Sequence, residues 1–174
     1  MLPLLIVFSY LMGSIPSGYI LVKKKLNKDV REYGSGNIGA TNVKRVAGEK
    51  LSKITAISDM LKAIIPVLLT RILIWSDILK TDASLSLSLV AIAAILGHNY
   101  TIFLKFKGGK GVATSAAAFM IVVPIPFLIT AVIFFGLKLI TKIVSIRSLA
   151  AGITLFLSTL LLGYNKYYVY ATLF

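Results

Sequence analysis

Residues 2–25 read LPLLIVFSYLMGSIPSGYILVKKK, and the reading of this stretch decides the fold. From Leu2 to Val22 there is no charged side chain. At 1.5 Å per residue that run is about 31 Å long as a helix, the thickness of one bilayer core. Nothing basic precedes it, and Lys23, Lys24 and Lys25 follow at once. A cleaved secretion signal carries its positive charge before the apolar run, so the pattern predicts a retained span with its N-terminus outside. The segment 23–53 then holds nine of the 19 basic residues. The positive-inside bias places it in the cytoplasm.

Composition agrees. Of 174 residues, 57% are hydrophobic and 14% charged, with a mean hydropathy of +0.90; a soluble domain carries roughly 25% charged residues. One globular core cannot hide this apolar excess, which excludes a soluble enzyme, a secreted module and a disordered tail. The absence of Cys removes disulfides, thiolate metal ligands and a cysteine nucleophile, and a single His excludes an imidazole metal cage. No metal or cofactor is expected. The net charge of +13 calls for anionic partners, either lipid headgroups or phosphorylated substrates.

Further spans follow from about Ile54 to Trp75 and from Ser84 to Leu104, joined by an outer loop, Ser76–Ala83. Val112–Leu137 is again uncharged, interrupted by Pro124 and Pro126. A single crossing would put the next basic residues, Lys138, Lys142 and Arg147, outside; two short helices meeting at the prolines would put them inside, and the charge bias favours the pair. Each arm would measure only about 18 Å. Ser148–Leu162 and a short stretch, Tyr167–Phe174, complete the chain. The expected fold is an all-α polytopic membrane bundle of five or six full spans plus a stub, with its site at the cytoplasmic face.

Two of the basic loops carry the chemistry. Residues 34–45 run Gly34-Ser35-Gly36-Asn37-Ile38-Gly39-Ala40-Thr41-Asn42-Val43-Lys44-Arg45. Glycines let successive N–H groups converge on an oxyanion, hydroxyls add donors, and Arg offers a bidentate fork for phosphate. Gly34, Gly36 and Gly39 match a dinucleotide fingerprint literally, but the strand that fingerprint requires is replaced by a membrane span. The second loop contains His98, Lys107, Gly108, Gly109, Lys110 and Gly111 just before a helix start, where unpaired N–H groups and the dipole favour anions. It is not a Walker A loop, because Gly111 follows Lys110 where that motif needs Ser or Thr. Asp59 and Lys62 are spaced for a same-face ion pair. His98 has no Asp five positions on, since residue 103 is Phe, so one known acyltransferase dyad is absent in sequence.

The phrases at 34–45 and at Gly97-His98 followed by Phe106–Thr114 resemble two of the three signature motifs of the bacterial acyl-phosphate-dependent glycerol-3-phosphate acyltransferases. Gly13-Ser14-Ile15-Pro16, Asp59-x-x-Lys62 and Val144-Ser145-Ile146-x-Ser148 extend the resemblance along the chain. It implies a seven-helix bundle and a single membrane-embedded acyltransferase domain over residues 1–174. The implied reaction moves a fatty acyl group from acyl phosphate to the 1-hydroxyl of glycerol 3-phosphate, in phospholipid synthesis at the bacterial inner membrane. Catalytic candidates are Ser35, Arg45, Lys107 and His98. Substrate-binding candidates are Gly34, Gly36, Asn37, Gly39, Thr41, Asn42, Gly108, Gly109, Lys110, Gly111 and Ser145. The family's third motif, Arg-His-x-x-Asn-Ile-x-Arg-Leu after the last span, has no counterpart before Phe174, and Ala63 stands where the family has Gly. The absent motif leaves a shortened sequence or an impaired enzyme as alternatives. A competing class, an anion transporter, would carry internal repeats, and none is visible.

Overall fold

The computed structural model describes residues 1–173, whose regular structure is helical. The long helices are α1 (Leu2–Ser14), α2 (Ser17–Leu26), α3 (Ala40–Trp75), α4 (Ala83–Asn99), α5 (Val112–Val122), α6 (Pro124–Gly136) and α7 (Val144–Leu161), with a short α8 (Lys166–Ala171). The first span is not the single uninterrupted helix expected. Pro16 lacks an N–H and pushes Ile15 into extended backbone (φ −57°, ψ 112°), so one membrane-length column bends into α1 and α2. Counting that column once gives seven helical columns among the described residues. By length and composition, Leu2–Leu26, Ala83–Leu104 and Val144–Leu161 suffice to cross a membrane. α3 carries Asp59, Lys62 and Arg71 through the same layer.

Carbonyl oxygens at the bend accept hydrogen bonds from side chains of other segments. The Thr101 hydroxyl donates to Ser14 O, and the Lys62 ammonium donates to Ile15 O at 2.9 Å. Helix α3 begins at Ala40, well before the expected Ile54, because polar helix formers continue the backbone beyond the bilayer core. Gly48, at φ 83° and ψ 179°, breaks it into segments 40–47 and 49–75, and Ser52 donates to Ala40 O at 2.8 Å across the break. A left-handed φ of this kind suits Gly alone.

α4 is the central helix, packing on α1, α3, α5 and α8. It crosses α1 at two glycines: a Cβ on Gly13 would strike the Ala94 carbonyl, and one on Gly97 the Tyr10 carbonyl. Small residues are how membrane helices gain close packing, since lipid gives no hydrophobic drive to associate. The Ser9 hydroxyl locks the same crossing by donating to Val90 O at 2.7 Å. The 112–137 stretch divides at Val123 into α5 and α6, with Pro124 in the first turn of α6, where its missing N–H costs least. Arg71 donates to Ile121 O at 2.9 Å, satisfying a carbonyl at the end of α5. α6 and α7 run antiparallel, with the Arg147 guanidinium 5.0 Å from the Phe134 ring centroid. The last stretch forms α8 from Lys166 to Ala171; Phe174 lies outside the described residues.

Gly97→Val should separate α1 from α4. Overpacking a tight contact costs about 1–3 kcal/mol, so the thermal midpoint in detergent should fall; an unchanged midpoint would deny the close crossing.

Candidate functional site

The basic loops meet at one end of the bundle. The first loop leaves α2 through Asn27, turns through a 3-10 segment at Val30–Glu32, and enters α3 at Ala40. Its organiser is Asn42, which is 1% exposed. The Asn42 amide donates to Val30 O, Tyr33 O and Asn37 O at 3.0, 3.0 and 2.9 Å, and its Oδ1 accepts the Ser35 N–H at 2.8 Å. Asn37 Oδ1 accepts the Gly39 N–H at 2.7 Å, fixing the helix entry. Gly34 and Gly36 take left-handed φ values of 62° and 69°. Asn42 and Asn37, expected as substrate ligands, are therefore engaged in holding the loop. Ser35, Thr41 and Arg45 stay exposed, and Arg45 passes beside Gly34. Arg45 makes no ion pair with a described residue.

The second loop folds back on the end of α4. The Gly108 N–H donates to Asn99 O at 3.0 Å and the Gly109 N–H to His98 O at 2.9 Å. These two donors, expected to face a phosphate, are thus closed off by the chain's own carbonyls. Gly109 meets the His98 ring at its Nε2 edge, where a Cβ would collide with Nε2, and a Cβ on Gly111 (φ 71°) would crowd Asn99 Oδ1. His98 is 3% exposed, and its Nδ1 sits 3.7 Å from Asp59 Oδ1. His98, a catalytic candidate from sequence, is thus buried beneath the second loop beside Asp59. Lys107 and Lys110 remain exposed.

Behind this loop lies the ion pair that the spacing of Asp59 and Lys62 foretold, 2.9 Å long with side chains 4% and 3% exposed. Thr114 at the start of α5 donates to Asp59 O at 3.0 Å. Asp59 and Lys62 therefore touch the α1–α2 bend, the end of α4 and the start of α5. The His and the Asp that sequence spacing kept apart are neighbours in space.

An apolar cluster locks the two loops together: Val22, Val30, Ile38, Val43 and Leu104, with Tyr19 against it. At their seam is a pocket of about 400 Å³ lined by Tyr19, Arg31, Phe103, Leu104, Lys105 and Lys107. Arg31 and Lys105 were not singled out from sequence. The one signal was Asp29 two residues before Arg31, a pair that closes at 2.6 Å and sets the guanidinium in place. The Arg31 guanidinium hydrogen-bonded to Asp29 holds that carboxyl below the usual carboxylate range, so it stays ionised at neutral pH. Ser145 is exposed at the start of α7, a helix that packs on α6 and α8.

Bundle and site together define an integral membrane protein with a cation-lined pocket at one end. The chain belongs to the glycerol-3-phosphate acyltransferase family, whose model matches residues 3–174. It is 54% identical over 150 residues to the glycerol-3-phosphate acyltransferase of Clostridium acetobutylicum, covering 86% of this chain and 76% of that one. The enzyme of the same name from Macrococcus caseolyticus is 44% identical over 90% of this chain and 77% of its own. The crystal structure of PlsY, an integral membrane glycerol 3-phosphate acyltransferase, in its glycerol 3-phosphate form superposes with a TM-score of 0.88 at 36% identity, over 98% of this chain and 82% of that one. Its lysophosphatidic acid form gives 0.83 at 35%, with the same coverage.

Asp59→Asn should strand the buried Lys62 charge and cost about 3–5 kcal/mol, whereas the double variant Asp59→Asn/Lys62→Met should recover most of that loss. Thermal unfolding in detergent reads both; equal midpoints for the two variants would show that the pair carries no buried charge cost.

Proposed function

We propose that the protein transfers a fatty acyl group from acyl phosphate to the 1-hydroxyl of glycerol 3-phosphate, releasing 1-acylglycerol 3-phosphate and phosphate. The observation that carries this reading is the locking of two glycine- and cation-bearing loops against one another at the end of a membrane bundle. Relatives named for glycerol 3-phosphate acyl transfer, and a structural neighbour in glycerol 3-phosphate and lysophosphatidic acid forms, support the acceptor and the product class.

The donor follows from the chemistry. Acyl phosphate is already activated, because phosphate departs as a stable anion; the protein need only bring two mutually repelling anions together. At an effective dielectric of about 20, a cation about 4 Å from an anion contributes around 4 kcal/mol, and correct alignment of two reactants removes roughly 7–11 kcal/mol of barrier. Arg45 serves as the fork for the glycerol 3-phosphate phosphate, with Ser35 and Thr41 as neighbouring donors. Lys107 steadies the donor, and Lys110 adds positive charge at the start of α5. The acceptor hydroxyl oxygen attacks the acyl carbonyl carbon, the bond from that carbon to the phosphate oxygen breaks, and phosphate leaves with the electron pair. The hydroxyl proton passes to a phosphate oxygen rather than to His98, whose ring is enclosed under Gly109. No acyl-enzyme is required.

The site faces the cytoplasm in this reading, with the chain in the bacterial inner membrane and its N-terminus outside. Transfer of labelled acyl groups to glycerol 3-phosphate by purified protein, with release of phosphate in detergent where no sealed compartment exists, tests the activity. Arg45→Lys keeps the charge and loses the fork, so kcat/KM should drop more than about tenfold with the fold intact; near-native kinetics would remove Arg45 from the site. Because the chain has no Cys, a cysteine introduced by Lys142→Cys should react only with reagent applied from the cytoplasm. Labelling from outside would reverse the sidedness of the α6–α7 end.

A further inference from the structure

We propose that the α6–α7 junction binds the headgroup of an anionic phospholipid, with Arg147 as its central ligand and Lys138 and Lys142 at its rim. The site concerns the surrounding bilayer rather than a reactant, so it stands independently of the acyl-transfer reading.

Arg147 is the fourth residue of α7, a helix of membrane length, and it is only 9% exposed. Its guanidinium makes no ion pair with a described residue, and its Nε is enclosed without a hydrogen-bond partner. Phe134 lies against it from α6; an aromatic face attracts a cation but does not neutralise it. The first turn of α7 holds no acidic residue, and Ile143 caps it without a side-chain hydrogen bond. The free N–H groups and positive dipole end of that turn therefore add to the charge instead of offsetting it. An unpaired guanidinium enclosed in this way is costly. An anion relieves the cost.

The chain's own side chains do not supply one. Its six acidic residues all precede Ser84. Asp29 is paired with Arg31, Glu49 with Lys44 and Lys53, Asp59 with Lys62, and Asp77 with Lys80. Asp82 accepts the Leu85 N–H at the start of α4. Glu32 remains, on the 3-10 segment that packs on α2 and α3. No acidic side chain follows Asp82, so α6, α7 and the turn between them carry cations alone.

The surroundings select a lipid. Lys138 and Lys142 are exposed, and between them Leu139 and Ile140 are 91% and 81% exposed. Ile143, Ile146 and Leu149 carry this exposed apolar surface onto α7. Basic tips beside bare apolar side chains belong at the boundary of hydrocarbon and water. Arg147 lies about 5 Å inside the start of α7, the depth at which a phospholipid phosphate meets its acyl chains. A guanidinium suits that phosphate by its fork of donors. Three cations exceed the charge of one phosphodiester, which favours a headgroup of net negative charge over a zwitterionic one.

Phosphatidylglycerol and phosphatidylcholine, titrated in turn into the detergent-purified full chain with bound lipid counted by native mass spectrometry, test the site. Wild type should bind phosphatidylglycerol at least about tenfold more tightly, and Arg147→Gln should cut that preference to within about twofold, the loss of a charged hydrogen bond. Lys138→Gln/Lys142→Gln alters exposed side chains only and should weaken phosphatidylglycerol binding several-fold. An equal preference in wild type and Arg147→Gln overturns the proposal. So does inorganic phosphate that raises the thermal midpoint as much as phosphatidylglycerol, which would make this a soluble-anion site. If Arg147→Gln does not fold, fluorescence reads the headgroup instead. Trp75 is the one native tryptophan, so Phe134→Trp with Trp75→Phe leaves a single reporter beside Arg147. Brominated phosphatidylglycerol should quench it more strongly than brominated phosphatidylcholine at equal mole fraction; equal quenching overturns the site.

Discussion

The buried pair of Asp59 and Lys62 is the constraint on which the rest of the architecture hangs. A proline-broken helix inside a membrane exposes backbone carbonyls that lipid cannot satisfy. Lys62 reaches the bend at Ile15 O, which also accepts the Ser17 N–H at 2.9 Å, while its charge is balanced by Asp59 on the preceding turn of α3. Asp59 in turn offers its carbonyl to Thr114 and its carboxylate to the neighbourhood of His98. Both glycine loops are thereby referred to one rigid point: the first through α2 above the bend, the second through the ends of α4 and α5. Such a pair is costly to desolvate and contributes little net stability. What it supplies is geometry, which an oil-filled helix junction of the same volume would not.

Rigidity at that point explains how mobile-looking sequence becomes an ordered site. The loops are rich in glycine, yet nearly every polar group that could wander is assigned: Asn42 to three carbonyls, Asn37 to Gly39, and the glycines of the second loop to the last carbonyls of α4. What remains uncommitted is a set of long cationic side chains. The backbone forms the frame, and the exposed lysine and arginine tips give this end of the bundle a charge that ionic strength screens.

Much of this could be read from the residues. Charge-free runs located the membrane column before Lys23, and the prolines at 124 and 126 marked the division at Val123. The three-residue spacing of Asp59 and Lys62 foretold their contact, because a helix puts those positions on one face. Ile15-Pro16 was visible too, yet the bend was missed, because hydropathy is blind to a break whose carbonyls are met by residues 47 and 87 positions away. His98 beside Asp59 and Leu104 against Val43 were illegible for the same reason. A local pattern carries no information about which distant helix it meets. Glycine content likewise suggested backbone donors turned toward a ligand; closure of the loop on α4 uses those of Gly108 and Gly109, which no local pattern announces.

The division at Val123 has a consequence for how the protein is made. A translocon that samples hydrophobicity as the chain emerges meets 26 consecutive uncharged residues, Val112–Leu137, enough for one ordinary transmembrane segment. The folded protein contains two helices there instead. α5, at 11 residues, reaches about 16 Å, and Pro124–Leu139 about 24 Å, so neither matches a ~30 Å core alone. The partner that closes the end of α5, Arg71, lies on a helix synthesised earlier. Length alone therefore does not hold α5 and α6 in the bilayer as separate helices; their neighbours do, Arg71 at the end of α5 and the faces of α3 and α4 along it.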